Sequence, residues 1–192
     1  MVKKVLFAAS EVYPFAKTGG LADVAHALPR ALKNLYDVTV VMPLYRIIDR
    51  DKYTITSLGE TFTISMGGED YTIDLYGCSL DGYEYCFVYS PILCDREFLY
   101  GTPEAGYDDN GLRFALFSYV ITALLRKNRY EIVHLNDWQC ALSALLIHKD
   151  RTLSTKVIYT IHNLAYQGIF DSTLLKSIGI DKRYFTMDLD AD

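Results

Sequence analysis

The chain has 192 residues, 51% of them hydrophobic and 22% charged, which is typical of one globular domain with a sizeable core. The formal net charge of -5, with no cluster of Lys or Arg, argues against a nucleic-acid-binding surface. No stretch approaches the ~20 apolar residues of a membrane span, so a cytoplasmic protein without a membrane partner is expected.

The first quarter of the chain predicts a β-α-β unit. Residues 5–10 form an apolar run without clean alternation, the pattern of a strand that is covered on both faces and central in a parallel sheet. A second buried strand is predicted over residues 37–43. Between them a helix begins near Gly20 and is expected to kink at Pro29. Its apolar face is predicted from spacings of three and four residues: Leu21, Val24, Leu28, Leu32 and Leu35.

The next segment predicts a β-meander. Three runs rich in Tyr, Thr, Ile and Phe are separated by glycine-containing turns, and Asp-Gly between two such runs is a strong hairpin signal. The meander is expected to be inserted in the parallel sheet or packed at its edge. Its runs cover residues 53–65, 71–78 and 83–89, with Gly67-Gly68 and Asp81-Gly82 between them.

The last third returns to alternating helices and strands. Asn110 is the candidate N-cap of the first of these helices. The alternation predicts one α/β domain over residues 1–192, with a Rossmann-like, doubly wound and mostly parallel sheet. Helices are predicted over residues 111–125, 138–149 and 171–177, and strands over residues 131–135 and 156–161.

Polar residues follow three of the predicted strands. Ligands of open α/β sheets bind beyond the carboxyl ends of the strands, where the loops of neighbouring strands converge. These polar residues are therefore predicted to form one site. The three groups are Lys17 with Gly19 and Gly20, Asn136 with Asp137 and Trp138, and His162 with Asn163.

The turn before the first helix predicts an anion site. Two glycines and Lys17 at a junction between strand and helix offer free backbone N–H groups and the positive end of the helix dipole, which suit a phosphate. The pattern is neither the dinucleotide fingerprint nor the P-loop, so an ordinary glycine turn is the alternative.

Each of these polar residues also has a purely structural interpretation. Asp137 could serve only as the N-cap of the following helix, Trp138 could belong to the core rather than stack on a sugar ring, and His162 could be a structural imidazole. Lys17 could be a solvated loop charge. His134 lies inside a strand and is interpreted as a satisfied core histidine.

No metal or other cofactor is predicted. The four cysteines lack metal-ligand or redox spacing and are expected to be reduced and mostly buried. Asp188-Leu189-Asp190 has the Asp-x-Asp pattern that can hold a divalent cation. That pair lies in an unpatterned tail and is interpreted as solvated.

Three motifs in this order resemble those of the bacterial glycogen and starch synthases: K-T-G-G-L-A-D-V at 17–24, H-L-N-D-W at 134–138 and I-H-N-L-A-Y-Q-G at 161–168. The resemblance extends from Lys4 to about residue 185. It implies the N-terminal half of a two-domain GT-B enzyme, a retaining glucosyltransferase. Such enzymes move glucose from ADP-glucose to the non-reducing end of an α-1,4-glucan.

The resemblance also implies roles for the site residues. His162 is implied to lie against the transferred glucose and to support its developing oxocarbenium charge, with Asp137 as the second catalytic residue. The implied donor-binding residues are Lys17, Gly19, Gly20, Asp23 and Asn163, and the implied sugar- or acceptor-lining residues are Trp138 and Asn136.

Two positions depart from the family pattern. Asn136 stands where His is common, and Cys94 stands where an aromatic residue is common. Tyr100 or Tyr107 is the candidate to replace the contact that Cys94 does not offer.

The C-terminal nucleotide-binding domain of the family has no counterpart in these 192 residues. The chain is therefore expected to be an incomplete catalytic unit without turnover by itself. Its implied partners are the sugar nucleotide, the α-1,4-glucan and its own C-terminal domain in the full-length enzyme. One alternative is a stand-alone, non-catalytic glucan-binding or regulatory module, and a lower-ranked one is a nucleotide-binding oxidoreductase.

Overall fold

The computed structural model describes residues 2–184, and within that range seven strands form one sheet. The strands are β1 (Lys3–Ala8), β2 (Tyr36–Pro43), β3 (Thr56–Met66), β4 (Glu69–Leu80), β5 (Tyr83–Tyr89), β6 (Ile132–Asn136) and β7 (Lys156–Thr160). The helices are α1 (Leu21–Leu32), α2 (Pro91–Cys94), α3 (Asn110–Lys127), α4 (Trp138–Lys149) and α5 (Leu174–Ser177), followed by a 3-10 turn at Lys182–Tyr184.

The sheet has the order β3-β4-β5-β2-β1-β6-β7. The strands from β5 to β7 in this order are all parallel, whereas β3 and β4 continue the sheet as an antiparallel meander. β1 is central, with Phe7 beside Val40 on one side and beside His134 on the other. The predicted Rossmann-like, mostly parallel sheet is confirmed, and the meander lies at its edge.

The Asp-Gly hairpin predicted between β4 and β5 is confirmed. Asp81 and Gly82 have φ of 55° and 77°, the left-handed conformation that a two-residue type I′ turn needs at both positions. The other predicted turn, at Gly67 and Gly68, likewise has positive φ at both residues.

The buried face of α1 differs from the predicted leucine stripe. The buried residues are Leu21, Ala22, Ala25 and Pro29, and the helix continues past Pro29 to Leu32. Of the predicted stripe, Leu21 is buried, and Leu28 and Leu32 are partly buried and pack against the core. The last leucine of the predicted stripe lies beyond the helix and is exposed: Leu35.

Asn110 is not the N-cap of α3, contrary to the sequence prediction. The preceding residue holds the cap position, and the Asn110 side chain donates to the Tyr100 carbonyl (2.6 Å) and accepts from Arg113 (2.7 Å). The Asn110 amide therefore anchors the loop before the helix rather than the helix end.

Arg113 anchors the same loop from the interior of the domain. Its guanidinium is fully buried and donates to the carbonyl oxygens of Leu99 (3.1 Å) and Leu93 (2.7 Å). Burial lowers the pKa of Arg113. These bonds hold residues 93–110 in place beside the carboxyl ends of the strands.

The cysteines are free thiols, as predicted. Cys94 and Cys140 are fully buried, and desolvation raises the pKa of each thiol to about 12. The Cys94 thiol donates to the Val88 carbonyl (3.2 Å). Position 94 therefore packs inside the domain.

β7 is an edge strand with little cover. Its apolar residues Val157, Ile158 and Tyr159 are 39%, 47% and 42% exposed. Across residues 2–184, no helix has both the length and the apolar character needed to cross a membrane.

Candidate active site

A cavity of about 740 Å³ lies beyond the carboxyl ends of β1, β6 and β7. The three strand-end segments that were predicted to converge meet there. The cavity is lined after β1 by Glu11 and residues 18–21, after β6 by residues 137–139, after β7 by His162, Asn163 and Tyr166, and otherwise by Val24, Tyr100, Gly106 and Asn110.

The glycine turn is held by the carboxylate of Glu11, which is 5% exposed. Glu11 Oε2 accepts from the backbone N–H groups of Thr18 and Gly19, and the Thr18 hydroxyl donates to the same carboxylate. Two of the amides predicted to be free are therefore occupied. The next two amides, of Gly20 and Leu21, have no hydrogen-bond partner within residues 2–184, and both residues line the cavity.

Lys17 and Asp23 form an ion pair beside the cavity. Lys17 Nζ lies 2.6 and 2.7 Å from the two carboxylate oxygens of Asp23, and both side chains are about half exposed. Neither residue lines the cavity. Among the described residues, the lining holds two carboxylates, Glu11 and Asp137, and no Lys or Arg.

Asp137 links the end of β6 to the end of β7. Asp137 holds the N-cap position of α4, as the structural interpretation predicted, but its side chain makes no bond to that helix. Its Oδ1 instead accepts from the backbone N–H of His162 (2.7 Å). Its φ of 57° and ψ of 177° belong to a region that is almost exclusive to glycine and costs on the order of 1–3 kcal/mol. Such strain concentrates at functional sites.

Asn136 does not line the cavity, contrary to the sequence prediction. It is fully buried, and its Nδ2 donates to the carbonyl oxygens of Ala8 (2.9 Å) and His134 (3.3 Å). Its Oδ1 lies 2.9 Å from Nε2 of His162. Asn136 thus contacts the His162 ring without lining the cavity itself.

We expect neutral His162 to carry its proton on Nε2. Because the Asn136 amide donates to two carbonyls, its Oδ1 faces His162 and can only accept. Long-range ¹H–¹⁵N spectra of the ring nitrogens should show that Nε2 is protonated and Nδ1 is unprotonated. Exposed His148 serves as the control and should show averaged tautomers. An Nδ1–H tautomer at His162 would contradict the assignment.

His134 is a satisfied core histidine, as predicted. Its Nε2 lies 2.8 Å from the Thr160 hydroxyl, and its ring packs edge-on against Phe7. Desolvation, with a smaller contribution from nearby His162, lowers the pKa of His134. The ring therefore stays neutral inside the sheet.

Trp138 is a half-buried aromatic wall of the cavity. Its ring packs against Phe114 (5.2 Å between centroids) and Phe170 (5.4 Å). Gly168, with φ of 67°, lies so close that a Cβ there would sit 2.5 Å from the indole. The indole is fixed by its neighbours and still lines the cavity, so the two sequence interpretations of Trp138 are not exclusive.

The sequence patterns did not single out Glu11 and Gln139, which line the cavity. Glu11 could have been found, since it directly follows the first predicted strand. Tyr100 lines the cavity, and its hydroxyl contacts Ser10 (2.7 Å) and Glu11 (3.3 Å). Burial, with a smaller effect of Glu11, raises the pKa of Tyr100 well above its usual value. Tyr107 does not line the cavity.

Within residues 2–184, no group of three or more His, Cys, Asp or Glu residues could hold a metal ion. The Asp188-Leu189-Asp190 pair lies outside the described residues.

Comparisons with known proteins point to one family. The profile of the starch synthase catalytic domain matches residues 4–190. The glycogen synthase of Aquifex aeolicus is 40% identical over 96% of this chain and 39% of its own length, and that of Syntrophotalea carbinolica is 41% identical over 96% and 40%. The chain therefore spans about 40% of the length of these curated relatives.

The fold comparison agrees. The catalytic domain of starch synthase IV from Arabidopsis thaliana, solved bound to ADP and acarbose, superposes with a TM-score of 0.82 and 27% sequence identity. The match covers 95% of this chain and 38% of that one.

Proposed function

This chain belongs to the starch synthase catalytic domain family, and we propose that it forms the N-terminal half of a retaining glucosyltransferase. The reaction transfers glucose from ADP-glucose to the non-reducing end of an α-1,4-glucan. The observation that carries the proposal is the meeting of three strand-end segments, with Gly20, Asp137 and His162 among them, around one cavity of about 740 Å³.

The donor diphosphate is assigned to the N-terminus of α1. Gly20 and Leu21 line the cavity at the positive end of a 12-residue helix, where an anion is stabilised. Lys17, with Asp23, stands beside this point. The Arabidopsis relative was solved with ADP, the product that ADP-glucose would leave, and this supports an adenine nucleotide here.

The glucose is assigned to the space between Trp138, Asp137 and His162. His162 is proposed to lie against the anomeric carbon, where its main chain or ring stabilises the positive charge that develops as the diphosphate leaves. The Asp137 carboxylate accepts from the His162 N–H, which suits a positioning role better than that of a covalent nucleophile. The acceptor 4-hydroxyl is therefore proposed to attack from the face that the diphosphate leaves. Asn163 is assigned to the donor side.

The part of the cleft that the structure describes lacks the positive charge that this reaction needs. A leaving diphosphate is stabilised mainly by cations, yet the cavity lining carries two carboxylates and, within residues 2–184, no Lys or Arg. We propose that a C-terminal domain supplies the missing cations and the nucleotide-base pocket, and that the 192-residue chain has no turnover alone. The exposed apolar strand β7 offers a surface for a further part of the protein.

The proposal is tested with the full-length protein, labelled donor and maltoheptaose. We expect glucose transfer from ADP-glucose in preference to UDP-glucose, and an α-1,4 linkage in the NMR spectrum of the product. The 192-residue chain should not transfer glucose. A β-linked product would contradict retention, and glucan binding without transfer by the full-length protein would favour a non-catalytic module.

A further inference from the structure

Gln139 carries a buried amide oxygen without a partner. The residue is 7% exposed, lines the cavity directly after Trp138, and its Oε1 has no hydrogen-bond partner within residues 2–184. Leaving a buried amide group unpaired costs about 1–3 kcal/mol. A leucine of similar volume would avoid this cost at the same helix position.

The other polar side chains buried along the cavity are already engaged. Glu11 holds two backbone amides, Asp137 holds the His162 amide, and Asn110 bonds to Tyr100 and Arg113. The remaining buried side-chain atoms without a partner, on five other residues, all lie outside the lining. Among the described residues, Gln139 is thus the buried lining residue whose side-chain oxygen has no partner.

The chemistry of a carboxamide restricts what this ligand can be. It offers one acceptor and two donor hydrogens without net charge, which matches sugar hydroxyls, each both donor and acceptor. A phosphate oxygen offers no hydrogen for Oε1 to accept. The neighbouring indole of Trp138 adds the apolar face on which a pyranose ring can stack.

We propose that Gln139 is a sugar-binding residue whose Oε1 accepts a hydrogen bond from a glucose hydroxyl in the cleft. The soft terminal torsion of the side chain lets the amide turn toward the incoming hydroxyl. The assignment rests on the proposed function, since it takes the glucan of that reaction as its ligand. The hydrogen bond is made only with ligand present, so the free protein bears the cost of an unpaired group.

The test uses the 192-residue chain and maltoheptaose. Trp138 is the sole tryptophan of the sequence, so intrinsic fluorescence reports this cavity directly. We expect Gln139→Leu to raise the Kd about 3- to 12-fold, the loss of one neutral hydrogen bond. The Tm should stay equal or rise, because the unpaired group is gone. In the wild type, the Gln139 side-chain NH₂ signals should shift during the titration.

The matched control is Gln167→Leu, the same change at the other glutamine of the sequence, which is exposed. Its Kd should stay unchanged. An unchanged Kd in Gln139→Leu, or a lowered Tm, would overturn the sugar-binding role and leave the glucosyltransferase proposal intact. No fluorescence or NH₂ response to maltoheptaose in the wild type would overturn the sugar-binding role too, whereas the proposed reaction is judged separately by the transfer assay.

Discussion

Replacing Asp137 with glycine is expected to lower kcat/KM for the proposed glucose transfer by the full-length protein by about 100-fold or more. The substitution removes the carboxylate that fixes the His162 amide, while glycine accepts the φ of 57° and ψ of 177° without strain. The lost activity would then report the side chain rather than a damaged backbone. Transfer rates measured with saturating and limiting donor separate kcat from KM.

Asp137→Asn separates position from charge. Its carbonyl oxygen can still accept from the His162 amide, so an intermediate loss of about 10-fold is expected if charge and positioning both matter. Asp171→Gly is the control, because Asp171 is an exposed carboxylate that accepts a backbone N–H of its own turn outside the cavity. If the activity of Asp137→Gly stayed within threefold of wild type, Asp137 would have no role in the transfer.

Replacing Gly168 with alanine is expected to displace Trp138 and to weaken maltoheptaose binding by more than about 10-fold. A Cβ at position 168 would lie 2.5 Å from two carbon atoms of the indole, and the packing against Phe114 and Phe170 leaves the ring little room to retreat. We also expect the free energy of unfolding to fall by about 2–4 kcal/mol, from overpacking and left-handed strain together. Fluorescence of the free protein should shift as the indole becomes more exposed.

Gly59→Ala provides the matched control. Gly59 has nearly the same φ, 69°, but a Cβ there would meet no atom within 4 Å. An alanine at position 59 therefore adds the left-handed strain of about 1–2 kcal/mol without the clash. Equal stability losses in the two variants, with unchanged Trp138 fluorescence in both, would show that contact with the indole does not determine the effect of the Gly168→Ala substitution.

The order of elements was predictable because it depends on local patterns. Unbroken apolar runs marked β1 and β2, and the Asp81-Gly82 pair marked a hairpin whose backbone needs those residue types. The cavity was predictable for a related reason, since the carboxyl ends of parallel strands share one edge of the sheet.

The direction of individual side chains was not predictable in the same way. Asn136 and Asp137 are consecutive, but Asn136 ends β6, whereas Asp137 has a φ of 57° and a ψ of 177° that no local sequence pattern predicts. One is therefore buried beneath His162 while the other reaches the cavity. Lys17 pairs with Asp23 across the turn, a contact between residues that the motif treats as separate ligands.

The Glu11 carboxylate has a consequence for the kinetics of ligand capture. Because it already holds the Thr18 and Gly19 amides, the glycine turn is ordered before any phosphate arrives. Fixing the backbone of each residue costs about 1–2 kcal/mol of conformational entropy, and here folding rather than association bears that cost. Under the proposed donor site, the turn acts as a preorganised receptor, and a diphosphate would meet the Gly20 and Leu21 amides without a slow loop rearrangement.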